Sequence, residues 1–349
     1  MTVLVYGAYG YTGELVVREA LDRGLDVVVG GHNGTKTRGL GIQLDVESRV
    51  FTVEEAADSL DGIDVLLNCA GPFTRTYEPL VEACLATGTA YLDITGELPV
   101  FEAIAQRDRD AEQAGVVLLP GVGFDVVPTD CLACHLHDRL PGATHLRLGV
   151  EARPTLSGGT LATILEHVTS GGKVRRDGTI ADVPVASNSR RIDFGNGPKN
   201  AVTVPLADVS TAYYTTGIGN IETYTAVPEP AAWALRFGEP ATALFEFPPL
   251  KRGLQAFVRS AASGPSERTR QRDRVYVWGE ATDGNRTVVS RLETPEVYAL
   301  TVDAATTAVQ RLETGSESRS GFETPATAFG AEFVLELDGV EGFFDDGEG

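Results

Sequence analysis

The residues with the clearest chemistry lie near the start of the chain, where Gly7-Ala8-Tyr9-Gly10-Tyr11-Thr12-Gly13 separates an apolar run from a helix-like segment. Glycines in such a turn let the backbone bend tightly, approach a diphosphate and press helix against strand, while the helix start offers unpaired N–H groups. The glycine spacing, three and three, departs from the commoner two and three, so the position between strand and helix carries the reading. A dinucleotide is expected against Gly7, Tyr9, Gly10, Tyr11, Thr12 and Gly13; the structural alternative is a plain turn.

The segment after the second apolar run decides which dinucleotide. An acidic residue there binds the ribose 2′-hydroxyl and repels a 2′-phosphate. This chain has Gly31-His32-Asn33-Gly34-Thr35-Lys36-Thr37-Arg38, with no acid. His32, Asn33, Lys36 and Arg38 therefore favour NADP over NAD, against the alternative of a solvated loop with ordinary charges.

Further chemical groups fall at the ends of later apolar runs, the edge at which an open parallel sheet binds its ligand. Asn68, Ala70, Gly71, Pro72 and Phe73 could line the cofactor or form an ordinary Gly-Pro turn. Asp93 and Glu97 could orient a polar substrate or relay a proton; alternatively, Asp93 accepts hydrogen bonds from loop N–H groups and Glu97 faces water. Asp125 could face a cleft or bond turn amides, and Tyr77 could donate a hydroxyl or pack as an aromatic.

Some chemistry is excluded. Cys131, Cys134 and His135 have the haem-attachment spacing, but they read as one turn of a helix with small buried residues, and no metal is expected. No lysine has a tyrosine four positions before it, and no Gly-Lys precedes Ser or Thr, so the short-chain dehydrogenase pair and the nucleotide-hydrolase loop are both missing.

The elements that must position these groups follow from periodicity. Short Val/Ile/Leu runs at 3–6, 27–30, 49–53, 65–69, 91–94 and 116–119 predict buried parallel strands, with helices over 14–23, 79–87 and 98–114. Beyond about residue 140 the pattern alternates, predicting antiparallel strands at 145–152, 201–206, 220–227, 274–281 and 286–292, the last two flanking the hairpin signal Asp283-Gly284. Helices are expected over 160–170 and 296–312, the second with Thr294 as cap and Pro295 in its first turn. Segments 171–200 and 260–272 read as loops, and 341–349 as a frayed acidic tail. The class is α/β: an N-terminal Rossmann-type doubly wound parallel sheet with a second α+β domain on a largely antiparallel sheet. The expected partition is 1–135 for the dinucleotide, 136–315 for substrate, and 316–349 as a C-terminal helix packing back on the first domain, with the acidic tail.

Composition bounds the partners. The 349 residues suffice for two cored domains. Asp and Glu number 49 against 29 Lys and Arg, a net charge of -20 that argues against nucleic acid and anionic membranes. Only four of the basic residues are lysines: Lys36, Lys173, Lys199 and Lys251. Acid excess with few lysines suits a cytoplasm of molar salt, such as that of a halophilic archaeon, because such a surface repels itself in dilute buffer. No leader-like segment or apolar run of about 20 residues is present, so a cytoplasmic protein with a small-molecule substrate is expected, and a homodimer stays open. Four cysteines are too few for a disulfide framework.

Four motifs taken together resemble a known family. They are the Gly7 to Gly13 loop, Asn68-Cys69-Ala70-Gly71-Pro72-Phe73, Tyr91-Leu92-Asp93-Ile94-Thr95-Gly96-Glu97 and Pro120-Gly121-Val122-Gly123-Phe124-Asp125. The combination is similar to the saccharopine dehydrogenase-like family, in particular its trans-acting enoyl reductase branch. The likeness is firm to about residue 135 and fainter through Ser157-Gly158-Gly159-Thr160, Val227-Pro228-Glu229-Pro230 and Thr324 to Gly330. It implies an NADP-binding Rossmann domain, a mixed second domain and reduction of an activated C=C, C=N or C=O bond in a small or lipid-like substrate. Relatives commonly carry Arg where His32 stands, so any 2′-phosphate clamp must come from His32, Asn33, Lys36 or Arg38. A non-catalytic NADP-binding sensor or scaffold, and a lyase that recycles its hydride, remain alternatives.

Overall fold

The apolar runs near the N-terminus become strands because most are short, rich in Val and Leu and buried along their length, Ser48–Val50 being the more exposed exception. They are β1 (Thr2–Tyr6), β2 (Asp26–Gly31), β3 (Ser48–Val50), β4 (Val65–Asn68), β5 (Ala90–Asp93) and β6 (Val117–Leu119). Their spatial order is β6-β5-β4-β1-β2-β3, every pair is parallel, and Gly321–Phe322 adds a seventh strand beside β6. The order reverses between β1 and β4, which makes their carboxyl ends the switch point where such sheets take a nucleotide. Leu4, Tyr6, Val28, Leu66, Leu80, Tyr91, Ile104 and Leu118 belong to the core beneath the sheet.

The computed structural model describes residues 1–152, 171–184, 186–228, 272–314 and 319–346. The expected helix over 160–170, the Ser157 to Thr160 motif, Glu229 and Pro230 of the Val227 to Pro230 motif, and nearly all of 260–272 lie outside the described residues.

Around the first sheet run α1 (Tyr11–Asp22), α2 (Gly34–Leu44), α3 (Phe73–Thr87), α4 (Leu98–Ala105), α5 (Asp108–Ala114) and α6 (Val127–Arg139). The segment after β2, for which a solvated loop was the alternative, forms α2. Glycines at 34, 39 and 41 weaken its helical signal, but the Asn33 side chain caps it by accepting from the Lys36 N–H at 3.1 Å. The expected helix over 98–114 is split in two between Ala105 and Asp108.

Next come β7 (His145–Ala152), β8 (Gly172–Arg176), β9 (Thr179–Val183), β10 (Ser189–Asp193), β11 (Pro198–Thr203), α7 (Asp208–Thr216), β12 (Asn220–Ala226), β13 (Arg274–Thr282) and β14 (Thr287–Pro295). The chain ends with α8 (Val297–Thr314), β15 (Gly321–Phe322), α9 (Pro325–Phe329) and β16 (Glu341–Asp345). The second sheet orders its main path β10-β11-β12-β7-β13-β14-β16, with β8 and β9 off it; among the described residues only the β7–β12 pair is parallel.

Three expectations are corrected here. Segment 171–200 holds strands, not a loop: Asp177 and Gly178, at φ of 48° and 79°, form the two-residue link of a β8–β9 hairpin. Thr294 and Pro295 close β14, and the helix begins only at Val297. The expected frayed tail is ordered as far as Asp346, with 347–349 outside the described residues: β16 pairs with β14, Asp345 accepts from Arg139 Nη1 at 2.7 Å, and Phe343 stacks on His135 with centroids 3.9 Å apart.

The contacts divide the chain into Met1–Cys131 with Val297–Asp338, and Leu132–Glu296 with Gly339–Gly349. The long helix α8 thus counts with the nucleotide-type sheet rather than with the segment preceding it. It packs on α1, where Arg23 bonds Asp303 at 2.5 Å and Thr307 at 2.8 Å.

Candidate functional site

The glycine loop spans the exit of β1. Gly7 takes φ of 80°, and its N–H donates to the Gly30 carbonyl at the end of β2 at 3.0 Å. A Cβ at Gly7 would lie 2.9 Å from the Ala70 Cβ and backbone nitrogen, so the loops after β1 and β4 touch through bare backbone. A Cβ at Gly13 would strike the Gly7 carbonyl, which is how helix and strand pack so closely.

Helix α1 starts at Gly10 with no side-chain cap, and its first turn contains Tyr11, Thr12 and Gly13. An uncapped helix start at the switch point is the donor set a diphosphate needs. These residues fit a dinucleotide.

Tyr9 reaches over the end of β2. Its hydroxyl lies 2.9 Å from His32 Nδ1, and Lys36 Nζ stands 5.5 Å above its ring centroid. His32 and Lys36 therefore share one aromatic support at the end of β2, and both are exposed. Arg38, also exposed, lies one turn along α2. Asn33 is engaged as the α2 cap.

A closed circuit of hydrogen bonds ties together the loops after β4, β5 and β6. Asp93 is fully buried; its Oδ1 accepts from the Thr95 N–H at 3.0 Å and the Gly121 N–H at 2.9 Å, and its Oδ2 accepts from the Tyr91 hydroxyl at 2.9 Å. Burial pushes the Asp93 carboxyl up from 3.8 to about 6, although all three donors pull the other way. Asn68, also buried, donates to Tyr91 and Thr76 and accepts from the Ala70 N–H at 2.9 Å. Thr95 Oγ1 accepts from the Glu97 N–H at 3.0 Å. Glu97 in turn accepts from the Phe73 N–H at 2.8 Å and the Thr74 N–H at 2.9 Å, the first two of α3.

Asp93 is buried and accepts from loop N–H groups, as its structural reading expects, whereas Glu97 does not simply face water but accepts from the start of a helix 24 positions upstream of itself. Asp125 is exposed beside Gly96, whose Cβ would lie 2.7 Å from its Oδ2. Of the remaining candidates, Gly71 and Pro72 are exposed in the turn, while Phe73 and Tyr77 pack against the core. Cys69 follows β4; desolvation, reinforced by Asp93, pushes its thiol up to about 12, so it stays neutral.

Two contributors escaped the sequence reading. Tyr298, on α8, meets Tyr11 edge-on with centroids 5.0 Å apart, and Thr301 Oγ1 accepts from the Phe124 N–H at 3.1 Å across 177 positions. No local signal connects positions so distant; only the packing of α8 on α1 does.

Comparison with known proteins agrees with this geometry. Residues 3–119 match the family model for the saccharopine dehydrogenase NADP binding domain. A trans-acting enoyl reductase of Mycobacterium ulcerans is 29% identical over 185 residues, covering 47% of this chain and 44% of that protein. The Mycobacterium tuberculosis (strain H37Rv) trans-acting enoyl reductase matches to the same extent. The matched region is thus under half the length of these relatives. Apo saccharopine dehydrogenase (L-Glu forming) from Saccharomyces cerevisiae shares the fold with a TM-score of 0.65 at 14% identity, over 96% of each chain. The glycine loop, the β2 exit and the circuit up to Glu97 all fall inside the segment that matches an NADP-binding domain of the saccharopine dehydrogenase type.

Proposed function

We propose that the chain is an NADPH-dependent oxidoreductase that reduces an activated C=C, C=N or C=O bond of a small or lipid-like substrate. The observation that carries this reading is the uncapped start of α1 between Gly7 and Gly13. NADPH held there supplies a hydride. The chain's own residues bind the diphosphate through backbone N–H groups, hold the 2′-phosphate with Lys36, His32 and Arg38, and keep the loops at the nicotinamide side in place. The enoyl reductase names of the relatives favour a C=C bond.

Titration with NADPH and NADH in concentrated KCl tests the cofactor. NADPH should bind at least about tenfold more tightly, since a charge-assisted contact is worth about 1.5–3 kcal/mol. Lys36→Glu should weaken NADPH about 30-fold and leave NADH unchanged. Equal affinities in the unmodified chain would remove the NADP assignment. Steady NADPH oxidation with an enoyl, imine or carbonyl substrate would support catalysis. Tight binding with no turnover across such a panel would make it a sensor.

We also read the net charge of -20 as an adaptation to molar salt. Raising KCl from 0.1 M to 1 M shortens the Debye length from about 10 Å to about 3 Å and should raise the melting temperature by about 10 °C. A melting temperature indifferent to salt would overturn that reading.

A further inference from the structure

Helices α1 and α3 both begin at the carboxyl edge of the first sheet, and neither N-terminal residue supplies a side-chain cap. They differ in one respect. Glu97, from the loop after β5, places both carboxylate oxygens on the opening N–H groups of α3, at 2.8 Å and 2.9 Å. Its own backbone is held by Thr95, and Thr95 by buried Asp93. The far end of that chain of bonds returns through Tyr91 and Asn68 to the Ala70 N–H.

We propose that Glu97 is a positioning residue for the dinucleotide: by occupying the start of α3 it fixes the 70–74 loop against Gly7. The inference rests on the reductase reading above and goes beyond it by naming the residue that sets the loop. Ala70 has no clearance from Gly7, with 2.9 Å to a Cβ there, so movement of the 70–74 loop alters the floor of the diphosphate site directly. A carboxylate on two helix-start donors is also the arrangement that best resists such movement. With α3 filled from within the chain, the diphosphate is directed to α1.

The test compares two probes. NADPH spans the loop, whereas adenosine 2′-monophosphate, which lacks the diphosphate, reaches only the adenosine and 2′-phosphate end. Glu97→Ala should raise the NADPH Kd about tenfold, with the monophosphate Kd changed less than about twofold. Glu97→Gln, which keeps one acceptor and the side-chain volume, should fall between Glu97→Ala and the unmodified chain and stay folded if the alanine variant does not. A purely structural Glu97 would lower the melting temperature and leave the NADPH Kd unchanged in both variants, which overturns the proposal. Equal losses for both probes would overturn it as well. If the unmodified chain binds neither probe, the reductase reading itself fails.

Discussion

Gly10→Asp is expected to abolish NADPH binding, weakening it by at least about 100-fold, while leaving the protein folded. Gly10 has φ of -74° and ψ of 163°, ordinary extended backbone, and a Cβ there would meet only the Gly7 carbonyl, at 3.2 Å. Aspartate is moreover a favourable N-cap, so its carboxylate would take up the opening N–H groups of α1 that the diphosphate needs. Repulsion between that carboxylate and a phosphate about 4 Å away amounts to about 4 kcal/mol at an effective dielectric constant of 20, close to a thousandfold in affinity. Gly10→Ala adds bulk without charge and should bind within about threefold of the unmodified chain. Calorimetric titration of both variants, with melting curves as a folding control, checks this. Undiminished affinity in Gly10→Asp would remove the diphosphate from the start of α1.

Asp93 is expected to matter for stability rather than for proton transfer. Asp93→Ala would leave the Thr95 and Gly121 N–H groups and the Tyr91 hydroxyl without their acceptor, at a cost of about 3 kcal/mol or more. Asp93→Asn can still accept from both N–H groups through Oδ1, so at pH 7 it should lie within about 1 kcal/mol of the unmodified protein.

The pH response separates the two further. Burial raises the carboxyl from 3.8 to about 6, so the folded state holds this proton more tightly than the unfolded chain does. The resulting stabilisation is complete below the unfolded value near 4 and is lost as pH rises through about 6, a change on the order of 2 kcal/mol by linkage. Urea unfolding midpoints at pH 5 and 7.5 should show that loss in the unmodified protein and lack it in Asp93→Asn. A loss of the same size in the asparagine variant would assign the pH dependence to another group.

The N-terminal sheet was legible because β1, β2, β4 and β6 are rich in Val and Leu between well-formed helical stretches, and the glycine loop sits where one feeds the other. Helix α2 was not, since Gly34, Gly39 and Gly41 lower its propensity and the deciding contact is the side chain of Asn33. Strands β8 to β10 were hidden by half-exposed polar faces that give no clean alternation, although Asp177-Gly178 is the same hairpin signal read correctly at Asp283-Gly284. In the site, residue types were found but not their duties. Asp93 and Glu97 carry the right chemistry for proton transfer, and only the fold brings to them the backbone amides they accept from.

The seventh strand of the first sheet is drawn from Gly321–Phe322, pairing in parallel with β6 some 200 positions earlier. A ribosome making this protein releases the first six strands long before their last neighbour exists. Until then the outer edge of β6 offers unpaired backbone groups, and α1 lacks its partner α8. Completion of the nucleotide-type sheet must therefore wait until Phe322 has been made, which gives it high contact order and a slow closing step, with a transiently open edge that is prone to pair with a stranger.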